Sequence, residues 1–546
     1  MTSAETLFQS ALKHHHARRL REAESGYRRV LAEQPAHSPA LHMLGVLAAE
    51  AGQPEVAVAL LKRAAVAQPG SAAIYSDLGS ALWTMGRVQE ALEACRESLR
   101  LQPESPEALN NLGALLCEAG ERDEAVRLCR EAVRLRPDYQ DAHCNLGNAL
   151  QAGGQLDAAI SAYRRCLEID SAHAKAWDGL GCALKKAGRA GEAVAALRSA
   201  LELDPANAQT CTNLGAALLD GGQIAEAVRL DSRAIELLPT SAQAWCNLGD
   251  ALQASGRLDE AIAASREALR LDPTCAPAAN NLGSALHANG EIDEAMVALR
   301  RALELQPNLA EAHNNLGNCL KDLGQIDPAS SSFRAAMALN SGNARFHSNL
   351  IYTLYYHPSF DAVSIAEEHR HWNRRFADPL RKHVAAHLNP RDPERRLRVG
   401  YVSPDFWAQA ESHFVVPLLE AHDHSRYEIH CYASVGRPDA ITERLRKSAD
   451  VWHDVLGVPN VDLAEKIRGD GIDILVDLTM HMAGNRLQTF ACKPAPVQVT
   501  WLAYPGSTGL ETIDYRVTDR FMDPPEFGVE GYSEESYRMP DSWCCY

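Results

Sequence analysis

The sequence predicts an all-α array of stacked helical hairpins followed by an α/β lobe, and three observations carry that prediction. Leucine recurs every 34 residues, at Leu44, Leu78, Leu112, Leu146, Leu180, Leu214, Leu248, Leu282, Leu316 and Leu350. Glycine recurs in the same register at Gly52, Gly86, Gly120, Gly154, Gly188, Gly222, Gly256, Gly290 and Gly324. Beyond Leu350 the period stops, and short apolar runs alternate with amphipathic stretches.

One unit shows why the repeat is a hairpin. Trp245, Leu248 and Leu252 fall at i, i+3 and i+7 on one face of a first helix, and Gly256 ends it, because a left-handed cap is least strained for glycine. Ala261 and Ala268 line a second helix, which Pro273 closes. The closing proline is also present at Pro35, Pro69, Pro103, Pro137, Pro205, Pro239 and Pro307, with Ser171 and Ser341 in its place in two units. Nine register leucines are followed by glycine, from Gly45 to Gly317, which lets neighbouring helices approach closely; a lone hairpin cannot bury both faces, so the units must stack. The pattern resembles the tetratricopeptide repeat (TPR), whose stacked units form a superhelix. It assigns 1–342 to about ten units, including an irregular opening one, and 343–389 to a degenerate terminal repeat with linker helices.

The residue before the register leucine is Asn111, Asn145, Asn213, Asn247, Asn281, Asn315 and Asn349, in a series that begins with Met43 and is broken by Asp77 and Gly179. In a TPR array the first helices line a groove, and an amide offers donors and an acceptor to a peptide backbone whatever its side chains. A lone asparagine of this kind is solvated or bonded within its own hairpin; seven in one register point instead to capture of extended peptides. Replacing Asn247, Asn281 and Asn315 together is expected to weaken it.

Composition narrows the function. A formal charge of -17 and a pI near 5.7 speak against a nucleic-acid partner, which needs lysine and arginine to displace counterions. The start, MTSAETLFQSALKHHHARR, has no apolar signal core, and no stretch approaches the ~20 apolar residues of a membrane helix, so a cytoplasmic protein is expected. The 14 cysteines are scattered without a C-x-x-C pair, and Cys144, Cys246 and Cys319 sit in apolar helical patterns, which reads as buried reduced thiols. Cys544 and Cys545 at the chain end add nothing to this, and His14, His15 and His16 read as a solvated helix face.

From residue 390 to 546 the pattern changes. RLRVGYVS, YEIHCYAS, ILVDL, VQVTWLAYPG and DYRVTDRF read as strands, and SHFVVPLLEAHD, ITERLRKSADVW and NRLQTFACK as the segments between them, which predicts a parallel sheet of Rossmann type. YTLYYHPSFDAVSIAEEHRHWNRRF, ahead of them, reads as helical.

Four segments, YYHPSFDA, RVGYVSPDF, DLTMHMAGNR and PAPVQVTWLAYPGSTG, stand in the order found in protein O-GlcNAc transferases and their SPINDLY-like relatives, and with the TPR array the chain resembles that family. The resemblance implies a GT-B catalytic region of two Rossmann-like lobes, here the first lobe only, transferring a sugar, GlcNAc from UDP-GlcNAc, to serine or threonine of proteins held in the groove. It implies no cofactor and no metal, and there is no D-x-D signature. The family's second lobe, which holds most of the nucleotide contacts, lies beyond YRMPDSWCCY, so the chain by itself is expected to be inactive, with a separately encoded second lobe as an expected partner. The alternative is a non-catalytic TPR adaptor for peptides or partner proteins.

Site residues carried by the resemblance are few. The histidine that the family places three residues after the phenylalanine of SPDF is Gln409 here, and glutamine takes no proton near neutral pH. His413 matches a second histidine of the animal enzymes, and His481 stands just past the ILVDL strand, where open α/β sheets place ligands. The turn Tyr504, Pro505, Gly506, Ser507, Thr508 is expected on the acceptor side. Trp501, Leu502 and Trp543 are expected to form an exposed apolar face toward the second lobe.

Overall fold

The computed structural model describes residues 3–392, 394–524 and 531–542; Trp543, Cys544 and Cys545 lie outside the described residues. The chain divides into two compact units, Met1–Asn213 and Leu214–Tyr546.

The first unit consists of helical hairpins, from α1 (Ser3–His16) with α2 (Leu20–Glu33) to α11 (Ala174–Lys186) with α12 (Ala190–Leu203). Each register glycine that ends a first helix takes a positive φ, 71° at Gly52 and 85° at Gly120. The glycine after the register leucine serves packing: a Cβ on Gly181 would stand 2.4 Å from Leu197 Cγ of the partner helix. Gly181→Ala is therefore expected to cost about 1–3 kcal/mol through overpacking, read as a lower denaturant midpoint.

The second unit takes up the same pattern from α14 (Ile224–Leu237) to α20 (Ile326–Leu339), with α13 (Ala208–Asp220) spanning the division. After α21 (Ala344–Leu354) and α22 (Ala362–Trp372), a π-helical turn at Asn373–Ala377 and a 3-10 turn at Asp378–His383 end the helical part. A sheet follows: β1 (Leu397–Ser403), β2 (Tyr427–Ala433), β3 (Val451–Asp454), β4 (Ile474–Asp477), β5 (Val497–Thr500), β6 (Tyr515–Asp519) and β7 (Glu535–Met539), all parallel, in the order β3-β2-β1-β4-β5-β6-β7. Between the strands lie α23 (Ser412–Ala421), α24 (Ala440–Ser448), α25 (Asn460–Gly469) and α26 (Leu487–Ala491).

Strand residues alternate between two cores, as a pleat requires. Val402, Tyr432 and Leu475 pack with Phe490 and, from the last helices, with Ile351, Trp372 and Phe376. Tyr401, Ile429 and Val476 pack with Phe406, Val416 and Trp501 on the other face. The late hairpins also touch the lobe, where Arg437 Nη2 donates to Gln253 O at 3.2 Å. That explains why the division into compact units falls at residue 213, inside the array, and not at 342 or 390.

Three expectations change. Val451 and Trp452, read as the end of a helix, belong to β3. Trp501 and Leu502 are buried in the core beside Phe406 and form no exposed face; among the described residues of the lobe, Tyr515, Phe521 and Tyr537 are exposed aromatics. YTLYYHPSFDAVSIAEEHRHWNRRF is broken between Leu354 and Ala362. The twelve described cysteines are free thiols, buried or half-buried.

Candidate functional site

The strand order reverses direction between β1 and β4, and the loops leaving those strands part to opposite faces of the sheet, which opens a crevice outside their carboxyl ends. Local chemistry shapes both rims. After β4 the buried Asp477 carboxylate accepts from Thr479 N (3.2 Å), Met480 N (3.0 Å) and Thr500 Oγ1 (2.9 Å), turning the chain back so tightly that Met480 takes a φ of 46°. Leu502, after β5, has a φ of 81°. Left-handed backbone at two non-glycine residues beside one crevice is strain of the kind that gathers at functional sites. Gly484 completes the rim, since a Cβ there would meet Pro404 Cβ at 2.9 Å.

The crevice opens into a cleft of about 480 Å³. The lobe contributes Asp405, Gln409 and Met482, and the repeat helices contribute Asn315, Lys321, Asn349 and Tyr352. Gln409 Nε2 lies 3.4 Å from Asp405 O. Burial pushes the Asp405 carboxyl up to about 6, with the charge of Glu411 adding to it and hydrogen bonds from Gln409 and Trp407 opposing it. Asp405 is the aspartate of the SPDF motif, and that motif is the sequence signal that marks it.

His413 does not line this cleft. In the first turn of α23 the buried Ser412, Val415 and Val416 face inward, which leaves His413 exposed in a neighbouring cavity with Arg444.

His481 does not face the cleft either; the turn at Met480 drives it inward until it is fully buried. Ser348 Oγ donates to His481 Nδ1 (2.9 Å), and His481 Nε2 donates to Thr508 O (2.9 Å) and approaches His369 Nδ1 (3.1 Å). Burial depresses both histidines, His369 to about 3 and His481 well below its usual value.

The acceptor-side turn is likewise a seam between the last repeat and the lobe. Tyr504 stacks edge-on against Tyr355 (5.0 Å between ring centres), and Gly506 O accepts from Arg516. Ser507 N donates to Tyr355 Oη (3.1 Å), Ser507 Oγ donates to Glu534 (2.7 Å), and Thr508 N donates to Glu534 (2.7 Å). Of the five, Pro505 alone is exposed.

The register asparagines are half-buried, and their amides are partly spent. Each of six donates through Nδ2 to the residue 35 positions earlier, in the preceding hairpin: Asn111 to Ser76, Asn145 to Asn110, Asn213 to Asp178, Asn281 to Cys246 O, Asn315 to Asn280 and Asn349 to Asn314, at 2.8 to 3.3 Å. Asn247 accepts from Gln243 Nε2 at 2.6 Å. The ladder is therefore first a splice between hairpins. Asn213 Nδ2 reaches both carboxylate oxygens of Asp178, and Asn281 Nδ2 both the carbonyl and the thiol of Cys246, so only part of the amides' hydrogen-bonding capacity is uncommitted.

Residues 345–545, which hold the lobe rim of the cleft, match the profile of glycosyl transferase family 41. Ahead of it, tetratricopeptide-repeat profiles match 9–72, 76–140, 141–173, 184–245, 242–275, 283–324 and 310–343. The family 41 region is similar to the probable UDP-N-acetylglucosamine-peptide N-acetylglucosaminyltransferase SPINDLY of Arabidopsis thaliana, 45% identical over 184 residues, 33% of this chain and 20% of that protein. It is similar to the UDP-N-acetylglucosamine-peptide N-acetylglucosaminyltransferase of Caenorhabditis elegans, 37% identical over 151 residues, 27% of this chain and 13% of that one. The match thus spans about a fifth or less of these relatives' length. A variant of the Thermobaculum terrenum O-GlcNAc transferase superposes with a TM-score of 0.53 and 38% identity, over 56% of this chain and 58% of that one. No helix among the described residues is long and apolar enough to cross a membrane.

Proposed function

We propose that the chain acts in protein O-glycosylation: the repeat helices hold an extended acceptor segment and bring its serine or threonine to the cleft, where a sugar arrives from UDP-GlcNAc. One observation supports this above others. The cleft at the switch point of a family 41 lobe is walled on its other side by the repeat helices, so Asn315 and Asn349 share one cavity with Asp405 and Gln409.

In such a transfer the acceptor hydroxyl attacks the anomeric carbon, the nucleotide diphosphate leaves, and the hydroxyl proton needs an acceptor. Gln409 can only hydrogen-bond; Asp405, with its carboxyl raised to about 6, is matched to the task. Asp405→Asn is expected to lower kcat by ~10²-fold or more with little change in KM, measured with UDP-GlcNAc and a serine-rich peptide, on this chain alone and with a family second lobe supplied. No transfer in either setting overturns the reading, and peptide capture without transfer supports an adaptor instead.

Replacing Asn315 and Asn349 together by Ala should weaken peptide binding about tenfold, since each net hydrogen bond is worth ~0.5–1.5 kcal/mol. Unchanged affinity would count against the ladder as a binding surface.

A further inference from the structure

The edge of the sheet carries a second group of titratable side chains, none of which lines the cleft. Glu428, His430 and Tyr432 alternate onto one face of β2, and His453 of β3 pairs beside Tyr432. His430 Nδ1 stands 3.4 Å from His453 Nε2, and the same His453 nitrogen stands 3.5 Å from Asp470 Oδ2, just past α25. Both separations are long for a hydrogen bond, which prefers about 2.7–3.2 Å. They match the spacing of two ligands on a tetrahedral zinc ion, about 3.4 Å for bonds of about 2.0–2.1 Å. All three ligand atoms lie within 4.8 Å of one another, and no other such trio of histidine, cysteine or carboxylate groups occurs among the described residues.

The surroundings orient these groups as supporting residues orient metal ligands. Glu428 Oε1 lies 3.0 Å from His430 Nε2 and takes its N–H, which leaves the Nδ1 lone pair turned toward His453. Tyr432 donates to Asp470 Oδ2 at 2.8 Å and stacks on the His453 ring, with centres 4.6 Å apart. His453 and Asp470 are half-buried, which leaves an ion a way in. One feature opposes a cation, the Lys466 ammonium 3.3 Å from Asp470 Oδ2.

We propose that His430, His453 and Asp470 bind a divalent transition-metal ion of the zinc type, with water in the fourth position. The site is independent of the transferase reading and stands or falls without it.

Calorimetric titration of the full chain with Zn²⁺ tests it, in a background carrying His14→Ala and His16→Ala so that the amino-terminal run does not compete. One Zn²⁺ is expected per chain. Binding should weaken at least tenfold in His453→Gln and tighten several-fold in Lys466→Ala, while Mg²⁺, which prefers oxygen ligands, gives no signal. No uptake at micromolar Zn²⁺, or uptake unchanged by His453→Gln, overturns the proposal. Should His453→Gln fail to fold, Lys466→Ala decides: this side chain is 40% exposed, and its removal without any gain in affinity overturns the site.

Discussion

Asp231→Leu is expected to stabilise the unit Leu214–Tyr546 by about 4 kcal/mol at pH 7. Asp231 occupies the register position that packs on the glycine after the register leucine. The other hairpins place Leu61, Cys95, Cys129, Tyr163, Leu197, Ser265, Leu299 and Phe333 there, all neutral. Asp231 is 1% exposed, its Oδ1 has no hydrogen-bond partner, and a Cβ on Gly215 would stand 2.4 Å from that atom. Burial pushes its carboxyl up to about 8, with the charge of Asp250 adding to the shift. Leucine already faces glycine at the equivalent place in three other hairpins, so the replacement has a shape that fits.

The sign of the pH dependence follows. The folded carboxyl keeps its proton up to about 8, while the unfolded one loses it near 3.8. Its penalty is therefore absent below about pH 4 and grows by about 1.4 kcal/mol per pH unit toward pH 8. Denaturant midpoints measured across that window should decline less steeply in Asp231→Leu than in the unsubstituted chain. Parallel curves would show that the carboxyl finds a partner in solution.

Acid should act on the other side of the same unit. His369 and His481 are buried as neutral rings, His369 titrating near 3 in the folded state against 6.5 when unfolded. Below pH 6.5 the unfolded chain takes up protons that the folded seam refuses. Stability then falls by about 1.4 kcal/mol per pH unit from His369 alone, roughly 3 kcal/mol by pH 4.5, and His481 acts in the same direction. Because the titration of Asp231 opposes this over the same window, urea titrations at pH 7.0, 5.5 and 4.5 should show the decline in the Asp231→Leu background, and adding His369→Gln should remove much of it. Midpoints independent of pH in Asp231→Leu with and without His369→Gln would mean that the seam admits protons freely.

The hairpins could be read from the sequence because each unit prints the same packing demand again. The sheet was harder. The half-exposed β3 follows α24 after only two residues, so VWHD reads as the tail of that helix, and β7 shows no apolar run in ESYRM. At the site, the strand end before His481 was legible, but the direction of the side chain depends on the left-handed turn at Met480, which no residue type announces. The asparagine register was visible, whereas its partners lie 35 residues back and emerge only when hairpins stack.

That splice bears on how such an array can change length. Because each amide reaches into the previous hairpin at a constant offset, removing or duplicating a block of 34 residues within the Asn281 to Asn349 stretch hands every asparagine an equivalent neighbour, Asn314 for Asn280 or Asn280 for Cys246. A cut of any other length strands a half-buried amide at the junction. Growth and shrinkage by whole repeats is thus permitted by the hydrogen bonding, and the ruler for it is written in the asparagines.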